Sequence, residues 1–248
     1  LSRPVNYLTY SVAARDGREH EVEVYFEASP RWALDQPYQQ SASKGYEADG
    51  LLYLKSGSKE QNILAKQGDD LRIDWGYFYM VAGKENTAYS VGNSTELRKN
   101  FVNGTLNSAS LEGEDSNGNM ALVRSHGKVK NVTDKIMLGY DDIYSIQYFG
   151  TNLRPYWNSK GDRTIEAEML AAYNEYDKLL ARCYAFDKKL MEDASAAGGK
   201  EYAELCALAY RQSIAAHKLV EAPNGDLLWL SKENNSNGCI NTVDLTYP

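Results

Sequence analysis

The strongest constraint on the fold of this chain is a change in the spacing of its apolar residues near residue 160. Before it, stretches such as NYLTYSVAA (6–14) and HEVEVYFEA (20–28) alternate in places between apolar and polar residues. After it, apolar residues recur every three or four positions, from Thr164 to about Ser195 and again from Lys200 to about Lys218. A period of two is typical of a strand, and a period near 3.6 is typical of an amphipathic helix. The chain therefore combines a β-rich part with a helical part.

The β-rich part is predicted to be an antiparallel β-sandwich over residues 1–150. Further strand candidates begin at Gly50, Leu71, Asn119 and Lys135, and Gly-, Asn- and Ser-rich stretches separate them. Many short strands with such connections are typical of two packed antiparallel sheets. Between the first two strands lies Asp16-Gly17, a pair that favours a two-residue hairpin turn.

The helical part is predicted to be a two-helix hairpin. Gly198-Gly199 ends the first helix, and the second helix has a face rich in small residues. Residues 151–163 contain Pro155 and are predicted to link the two parts. A hairpin cannot bury both of its faces alone. The sandwich, or helices absent from this sequence, must therefore cover its apolar side.

The composition excludes several classes of function. The net charge is −7 and Lys and Arg form no run, which argues against a nucleic-acid partner. No stretch approaches the ~20 apolar residues of a membrane span. The cysteines, at positions 183, 206 and 239, have no CxxC spacing, so we expect neither zinc nor a disulfide framework. We expect no cofactor and no bound metal.

Four stretches carry a resemblance to a known family: RPVNYLTYSV (3–12), YSIQYFGTNLRPYW (144–157), residues 183–220, and LLWLSKENNSNGCINTVDLTYP (227–248). They resemble the glutaminase A-like family, secreted proteins of fungi and bacteria, and the last stretch is the most specific. The resemblance implies a β-sandwich joined to an (α/α) toroid, hydrolysis of glutamine to glutamate and ammonia, and an extracytoplasmic location.

The resemblance also implies that the chain is a domain fragment. The family's toroid continues past the TYP element, and Leu1 is not an initiator Met. We therefore expect residues 1–150 to be a sandwich region without its N-terminal part. Residues 164–248 are then the first hairpin of the toroid with the strand and loop that follow it. Such a fragment is expected to be inactive alone and to need the remainder of the toroid as its partner.

Candidate site residues cluster in the last of these stretches. Amide hydrolysis needs an acid or base and groups that hold the substrate. Glu233 and Asp244 are the catalytic candidates, and Lys232, Asn235 and Asn237 are candidates for binding the substrate. The alternative is an Asn- and Gly-rich turn whose side-chain amides bond the local backbone.

Two other groups of residues have more than one interpretation. Tyr148 and Trp157 either line a substrate cleft between the two parts or pack the sandwich against the helices. Asp141 and Asp142 are neighbours on a predicted strand, so their side chains should point to opposite faces. They are therefore a poor catalytic pair and are expected to be solvated; the alternative is that one of them faces a cleft or binds a cation.

A second function remains open from the sequence. Sandwiches joined to (α/α) toroids also occur in glycoside hydrolases and glycan-binding proteins. A glycosidase site should show two carboxylates ~5 to 10 Å apart across a cleft, with an aromatic platform. A glutamine site should instead offer groups for an α-carboxylate and an α-amine together. A non-catalytic scaffold module is the third possibility.

Overall fold

Two antiparallel sheets form the first part of the chain. The computed structural model describes residues 3–106, 118–215, 217–232 and 237–242. Within these ranges one sheet has five strands, in the order β1 (Val5–Ala13), β8 (Asn131–Asp141), β5 (Tyr77–Gly83), β4 (Leu51–Ser58) and β3 (Ser41–Ala48). The other has three, in the order β2 (His20–Ala28), β7 (Asn119–Val129) and β6 (Thr87–Gly92).

The two sheets pack face to face around an apolar core. Alternate residues of the five-stranded sheet point inwards and meet apolar residues of the three-stranded sheet; the core includes Leu52, Leu54, Met80, Met120, Leu122 and Ile136. All six side chains are fully buried. Because successive strand residues point to opposite faces, one apolar set can fill the space between the sheets. The predicted antiparallel sandwich is confirmed.

The hairpin predicted at Asp16-Gly17 is wrong. The turn itself forms, since the Arg18 backbone amide donates to Asp16 Oδ1 at 3.0 Å and Gly17 has φ of 72°. However, β1 pairs with β8 and β2 pairs with β7, so the turn carries the chain from one sheet to the other. The local turn chemistry is satisfied in either arrangement. The long ladders with β7 and β8 therefore decide the pairing.

Several elements escaped the sequence analysis. Strands β3 and β6 both contain Ser and Gly, and β3 also contains Lys44, which weakens their apolar pattern. Helix α1 (Ser94–Val102) begins after Asn93, whose side chain accepts hydrogen bonds from the backbone amides of Thr95 and Glu96. An Asn followed three residues later by Glu is a helix-start signal, and it marked α1 in the sequence.

The helical part is a hairpin, as predicted. Helix α2 (Ile165–Ala215) is interrupted at Gly199, where φ is 83°. The rings of Phe186 and Tyr210 lie 5.1 Å apart between centroids. A continuous helix would separate these positions by ~36 Å. The chain therefore folds back, and we call residues 165–198 the first arm and residues 200–215 the second arm.

The second arm ends earlier than predicted. Lys218 belongs to strand β11 (His217–Glu221), which pairs with β12 (Leu227–Ser231). The prediction that the helix extends to Lys218 is therefore wrong, because pairing with β12 satisfies the backbone of this segment. The predicted strand at Leu227 is confirmed. Two further short strands, β9 (Ile146–Tyr148) and β10 (Thr151–Leu153), pair with each other.

The first arm lies on the outer face of the five-stranded sheet. Ile165, Met169 and Ala172 are buried against sheet residues that include Leu51, Tyr53 and Val81. The Tyr7 hydroxyl donates to the Ala172 carbonyl at 2.8 Å, and the Tyr46 hydroxyl donates to Glu166 Oε1 at 2.7 Å. The sandwich thus covers the apolar side of the first arm from Ile165 to Tyr176.

Beyond the sheet, the hairpin projects into solvent. Large apolar side chains of both arms are exposed there, among them Tyr184, Phe186, Leu205 and Leu208. The segment predicted as a linker contains β10 and a 3-10 turn at Tyr156–Asn158, and its Trp157 is buried beneath the first arm. Among the described helices, none is both long and apolar enough to cross a membrane.

Candidate functional site

The end of the sandwich meets the strand pair that follows the hairpin in a small apolar cluster. Ile146, Leu153 and Val220 are buried together there, with Leu230 and Ile240 packed against them. A bridge between Pro155 and Val220 ties the backbones together. These contacts hold residues from distant parts of the sequence at one seam.

Two cavities open at this seam. The first, which we call the seam cavity, has a volume of about 420 Å³, and its lining includes Lys66, Arg72, Asp74, Trp75, Lys232 and Cys239. The second, which we call the helix cavity, has a volume of about 540 Å³, and its lining includes Arg3, Asn6, Asp142, Trp157, Tyr210 and Arg211. Ser145 and Lys218 line both. Sites for small molecules typically measure ~300–1,000 Å³.

One wall of the seam cavity is fixed by two buried carboxylates. The side chains of Asp35 and Asp74 are only 3% and 2% exposed, and Lys66 Nζ lies 3.3 Å and 2.7 Å from them. Gln39 Nε2 donates to Asp74 Oδ2 at 2.9 Å, and the Arg72 backbone amide donates to Asp35 Oδ1 at 3.0 Å. The hydrogen bond to Asp74 raises the pKa of Lys66. This network holds the loop between β4 and β5 in place.

We expect Lys66→Met to destabilise the chain by about 2 kcal/mol. The change leaves Asp74 without its cation and Asp35 with Arg72 alone, at 3.7 Å, and losing one partner of a fully buried pair typically costs ~3–5 kcal/mol. The value is reduced here because the Lys66 side chain is 39% exposed. The difference in the free energy of unfolding between the wild type and Lys66→Met, from urea titration, measures this loss of stability.

The control for Lys66 is Lys84→Met. Lys84 Nζ contacts Glu47 at 2.6 Å, but both side chains are exposed. We expect no measurable change in the free energy of unfolding for this variant, because exposed ion pairs contribute little. Equal losses for both lysines would show that burial of Asp35 and Asp74 is not the cause.

A second polar group lies where the two cavities adjoin, and we call Asp142, Ser145 and Lys218 the junction cluster. Asp142 Oδ2 accepts hydrogen bonds from Ser145 Oγ at 2.6 Å and from Lys218 Nζ at 2.9 Å. Asp142 is 5% exposed, so the prediction that it is solvated is wrong. Burial also raises the pKa of the neighbouring Asp141. Sequence reasoning missed this cluster because Lys218 is 76 positions away from Asp142.

The backbone around the junction cluster is tightly held. Trp75 Nε1 donates to the carbonyl oxygens of Asp142 and Tyr144 at 2.8 Å and 2.9 Å. Ile143, between them, has φ of 55°. A β-branched residue rarely adopts this left-handed conformation, and such strain is typical of functional sites.

The structure brings two of the predicted residues together. Lys232 lines the seam cavity, and its Nζ donates to the Asn237 carbonyl at 2.8 Å. Asn237 Oδ1 accepts from the Cys239 backbone amide at 2.8 Å. The Asn237 side chain therefore bonds the local backbone, as the turn interpretation requires, whereas Lys232 forms part of a cavity wall.

The other predicted residues lie elsewhere. Glu233, Asn235 and Asp244 fall outside the described residues. Tyr148 packs against the apolar cluster at the seam, with its ring 4.6 Å from that of Phe149. Trp157 is buried in the core beneath the first arm and borders the helix cavity, not the seam cavity. Within the described ranges, no three His, Cys, Asp or Glu side chains form a group suited to a metal ion.

Comparison with known proteins places this arrangement in a family. Residues 1–193 match the family described as a domain of unknown function, DUF5127, and residues 199–248 match the glutaminase A six helical-hairpin domain. The chain is 28% identical to "Glutaminase A" of Aspergillus oryzae over 260 aligned residues, which cover 98% of the chain and 36% of that protein.

A second relative is also named as a glutaminase. The chain is 23% identical to a "Probable glutaminase" of Arthroderma benhamiae over 281 aligned residues, which cover 100% of the chain and 30% of that protein. The chain thus spans about a third of the length of these relatives. Its sandwich, its helical hairpin and both family matches agree, and the chain belongs to the glutaminase A-like family.

Proposed function

We propose that this chain contributes part of the substrate site of an amidohydrolase that converts glutamine to glutamate and ammonia. The observation that carries the proposal is the similarity to "Glutaminase A" over 98% of the chain. The extracytoplasmic location belongs to the same proposal and is supported by the family resemblance alone.

The lining of the seam cavity supports a charged, amino-acid-like substrate. Four cationic side chains contribute to it, from Lys66, Arg72, Lys218 and Lys232, together with the carboxylate of Asp74. Free glutamine carries a carboxylate and an ammonium group. A lining with both signs of charge can pair with both groups at once.

The carboxylates in the described part of the chain do not by themselves form the pair that a glycosidase needs. A glycosidase needs two carboxylates facing an open cleft. In the described part of the chain, Asp35 and Asp74 both contact Lys66, but their side chains are almost wholly buried and share that cation. Each cavity is lined by one described carboxylate, Asp74 in the seam cavity and Asp142 in the helix cavity.

Glu233 remains our candidate for the general acid or base, with Asp244 as the second carboxylate and Asn235 as a contact to the substrate amide. Glu233 directly follows Lys232, which lines the seam cavity. A general acid or base must lie within hydrogen-bond reach of the proton that it transfers.

Ammonia release from L-glutamine tests the proposal. The assay uses the protein as its source organism encodes it, beside the 248-residue chain, with asparagine and a panel of aryl glycosides as other substrates. We expect ammonia from glutamine and no glycoside turnover. Glu233→Gln should lower kcat about 10²–10⁴-fold, because general acid–base catalysis typically contributes that factor.

The matched control is Glu221→Gln, which changes a carboxylate that pairs with Lys160 and borders neither cavity. It should leave kcat within about twofold of the wild type. Glycoside turnover without ammonia release would contradict the proposed function. Full activity of Glu233→Gln would remove only that residue from the proposal.

A further inference from the structure

We propose that the junction cluster of Asp142, Ser145 and Lys218 binds the α-amino-acid end of a free amino acid, its ammonium and its carboxylate together. The inference rests on the proposed function and deepens it, because it names the part of the substrate that these residues hold. No sequence pattern joins these three residues, and they lie 14 positions or more from Lys232 along the chain.

The position of the cluster gives a ligand access to it. Ser145 and Lys218 line both cavities, and Asp142 lines the helix cavity. Asp142 is more than nine-tenths buried, but it is one of the residues that line this open space. A small molecule in either cavity can therefore reach Lys218, and one in the helix cavity can also reach Asp142.

The hydrogen bonds of the cluster leave groups of both charges available. Ser145 and Lys218 both donate to the same oxygen of Asp142, Oδ2. This leaves Oδ1 to accept from a ligand ammonium. The Lys218 ammonium has three donors, and its side chain is 30% exposed. It can therefore bind a ligand carboxylate while it keeps its contact with Asp142.

The same contacts argue against a nucleophilic role for Ser145. Its Oγ donates to Asp142 Oδ2, and Lys218 Nζ also donates to that oxygen. Lys218 thus acts as a donor here and presents no lone pair to Ser145. The group that accepts the Ser145 proton is a carboxylate, which is intrinsically a weaker base than the imidazole that usually activates a serine. Binding is the role that this geometry fits.

A sugar would not need this pair of charges. A sugar presents only neutral hydroxyl groups, whereas an α-amino acid presents one group of each charge and can form charge-assisted hydrogen bonds with both members of the pair. The cluster is also preorganised, because Trp75 holds the Asp142 and Tyr144 carbonyls and the Ser145 amide donates to the Leu153 carbonyl at 2.8 Å. Preorganised groups bind a ligand with less loss of entropy.

Ligand analogues test the inference on the unaltered 248-residue chain. Isothermal titration calorimetry compares L-glutamine with N-acetyl-L-glutamine, which lacks the ammonium, and L-glutaminamide, which lacks the carboxylate. We expect saturable binding of L-glutamine, with affinity at least about tenfold lower for each analogue, because a charged site left unpaired discriminates strongly. Maltose should show no binding.

Two variants then assign each charge to its residue. Asp142→Asn should weaken L-glutamine binding at least about tenfold and leave N-acetyl-L-glutamine binding within about twofold. Lys218→Met should weaken L-glutamine binding and leave L-glutaminamide binding within about twofold. Lys160→Met, which removes a contact to Glu221 on the same strand as Lys218, should leave all affinities unchanged. Circular dichroism and thermal unfolding confirm that each variant is folded.

Three results would overturn the inference: no saturable binding of L-glutamine to the folded chain, equal binding of the acetylated analogue, or an equal loss for all ligands in Asp142→Asn. The outcome is separate from that of the proposed function. Ammonia release with a KM unchanged by Asp142→Asn removes the binding site and keeps the glutaminase. Selective binding without ammonia release keeps the binding site and removes the glutaminase.

Discussion

Replacing Gly76 by alanine is expected to lower the free energy of unfolding by about 3–4 kcal/mol. Gly76 has φ of 76°, a conformation that costs a residue with a Cβ ~1–2 kcal/mol. A Cβ at this position would also overlap the Asp141 carbonyl oxygen and lie 2.9 Å from Asp142 Cα. Both neighbours are backbone atoms, so relief requires β5 and β8 to separate, and overpacking of this kind costs ~1–3 kcal/mol more.

Gly17→Ala is the matched control for this prediction. Gly17 has nearly the same φ, 72°, but a Cβ there would meet no heavy atom within 4 Å. We therefore expect a loss of about 1 kcal/mol, from the conformation alone. Comparing the free energies of unfolding of both variants in urea separates the cost of the Cβ clash from the cost of the backbone conformation. Equal losses would show that the approach of Gly76 to the Asp141–Asp142 backbone is not a constraint.

Gly76→Ala should also affect ligand binding. Its clash falls on the residue that anchors the junction cluster, and the adjacent Trp75 donates to the Asp142 carbonyl. If the inferred amino-acid site is correct, the folded variant should bind L-glutamine more weakly than Gly17→Ala does. Calorimetry under conditions where both variants are folded measures the difference.

The second large effect is expected for Met169→Ala, with a loss of about 3 kcal/mol. Met169 is fully buried between the first arm and the five-stranded sheet. Its methyl group occupies the space over Gly139, where a Cβ would overlap it. Truncating a buried Met removes apolar contact and leaves a cavity, which typically costs ~2–5 kcal/mol. The free energy of unfolding measures the loss.

Two controls define the cause of that loss. Met169→Leu conserves volume and should cost less than about 1.5 kcal/mol. Leu205→Ala shortens an apolar side chain of the same helical hairpin that is 62% exposed, and should change stability by less than about 0.5 kcal/mol. Hydrogen exchange should show faster opening of residues 165–176 in Met169→Ala alone. Unchanged exchange there would mean that Met169 does not anchor the first arm.

The candidate site was only partly predictable from the sequence. Lys232 is a candidate because polar residues follow an apolar run, and the structure places it at the wall of the seam cavity; its role in binding stays a prediction. The side chain of Asn237 serves a local turn instead, as its bond to the Cys239 amide shows. The junction cluster was not predicted. For Asp141 and Asp142 the sequence left open that one of them faces a cleft, but no local pattern connects Asp142 with Lys218.

The buried carboxylates Asp35 and Asp74 illustrate the same limit. Nothing in their sequence neighbourhoods distinguishes them from exposed aspartates. They are buried because Lys66, Gln39 and the backbone of Arg72 converge on them when the loop between β4 and β5 folds over. Burial of a charge depends on partners that the chain supplies from several segments.

The sequence by itself determined the kinds of structural element: strands of period two before residue 150, and two helical arms of period 3.6 divided at Gly199. The kind of element follows from local geometry, because side chains return to the same face every two residues in a strand and about every 3.6 residues in a helix. The tertiary structure decided which strands pair, where the second arm ends, and that Asp142 meets Lys218. Such contacts join residues far apart in the chain, and their free energy depends on packing and burial that no local pattern records.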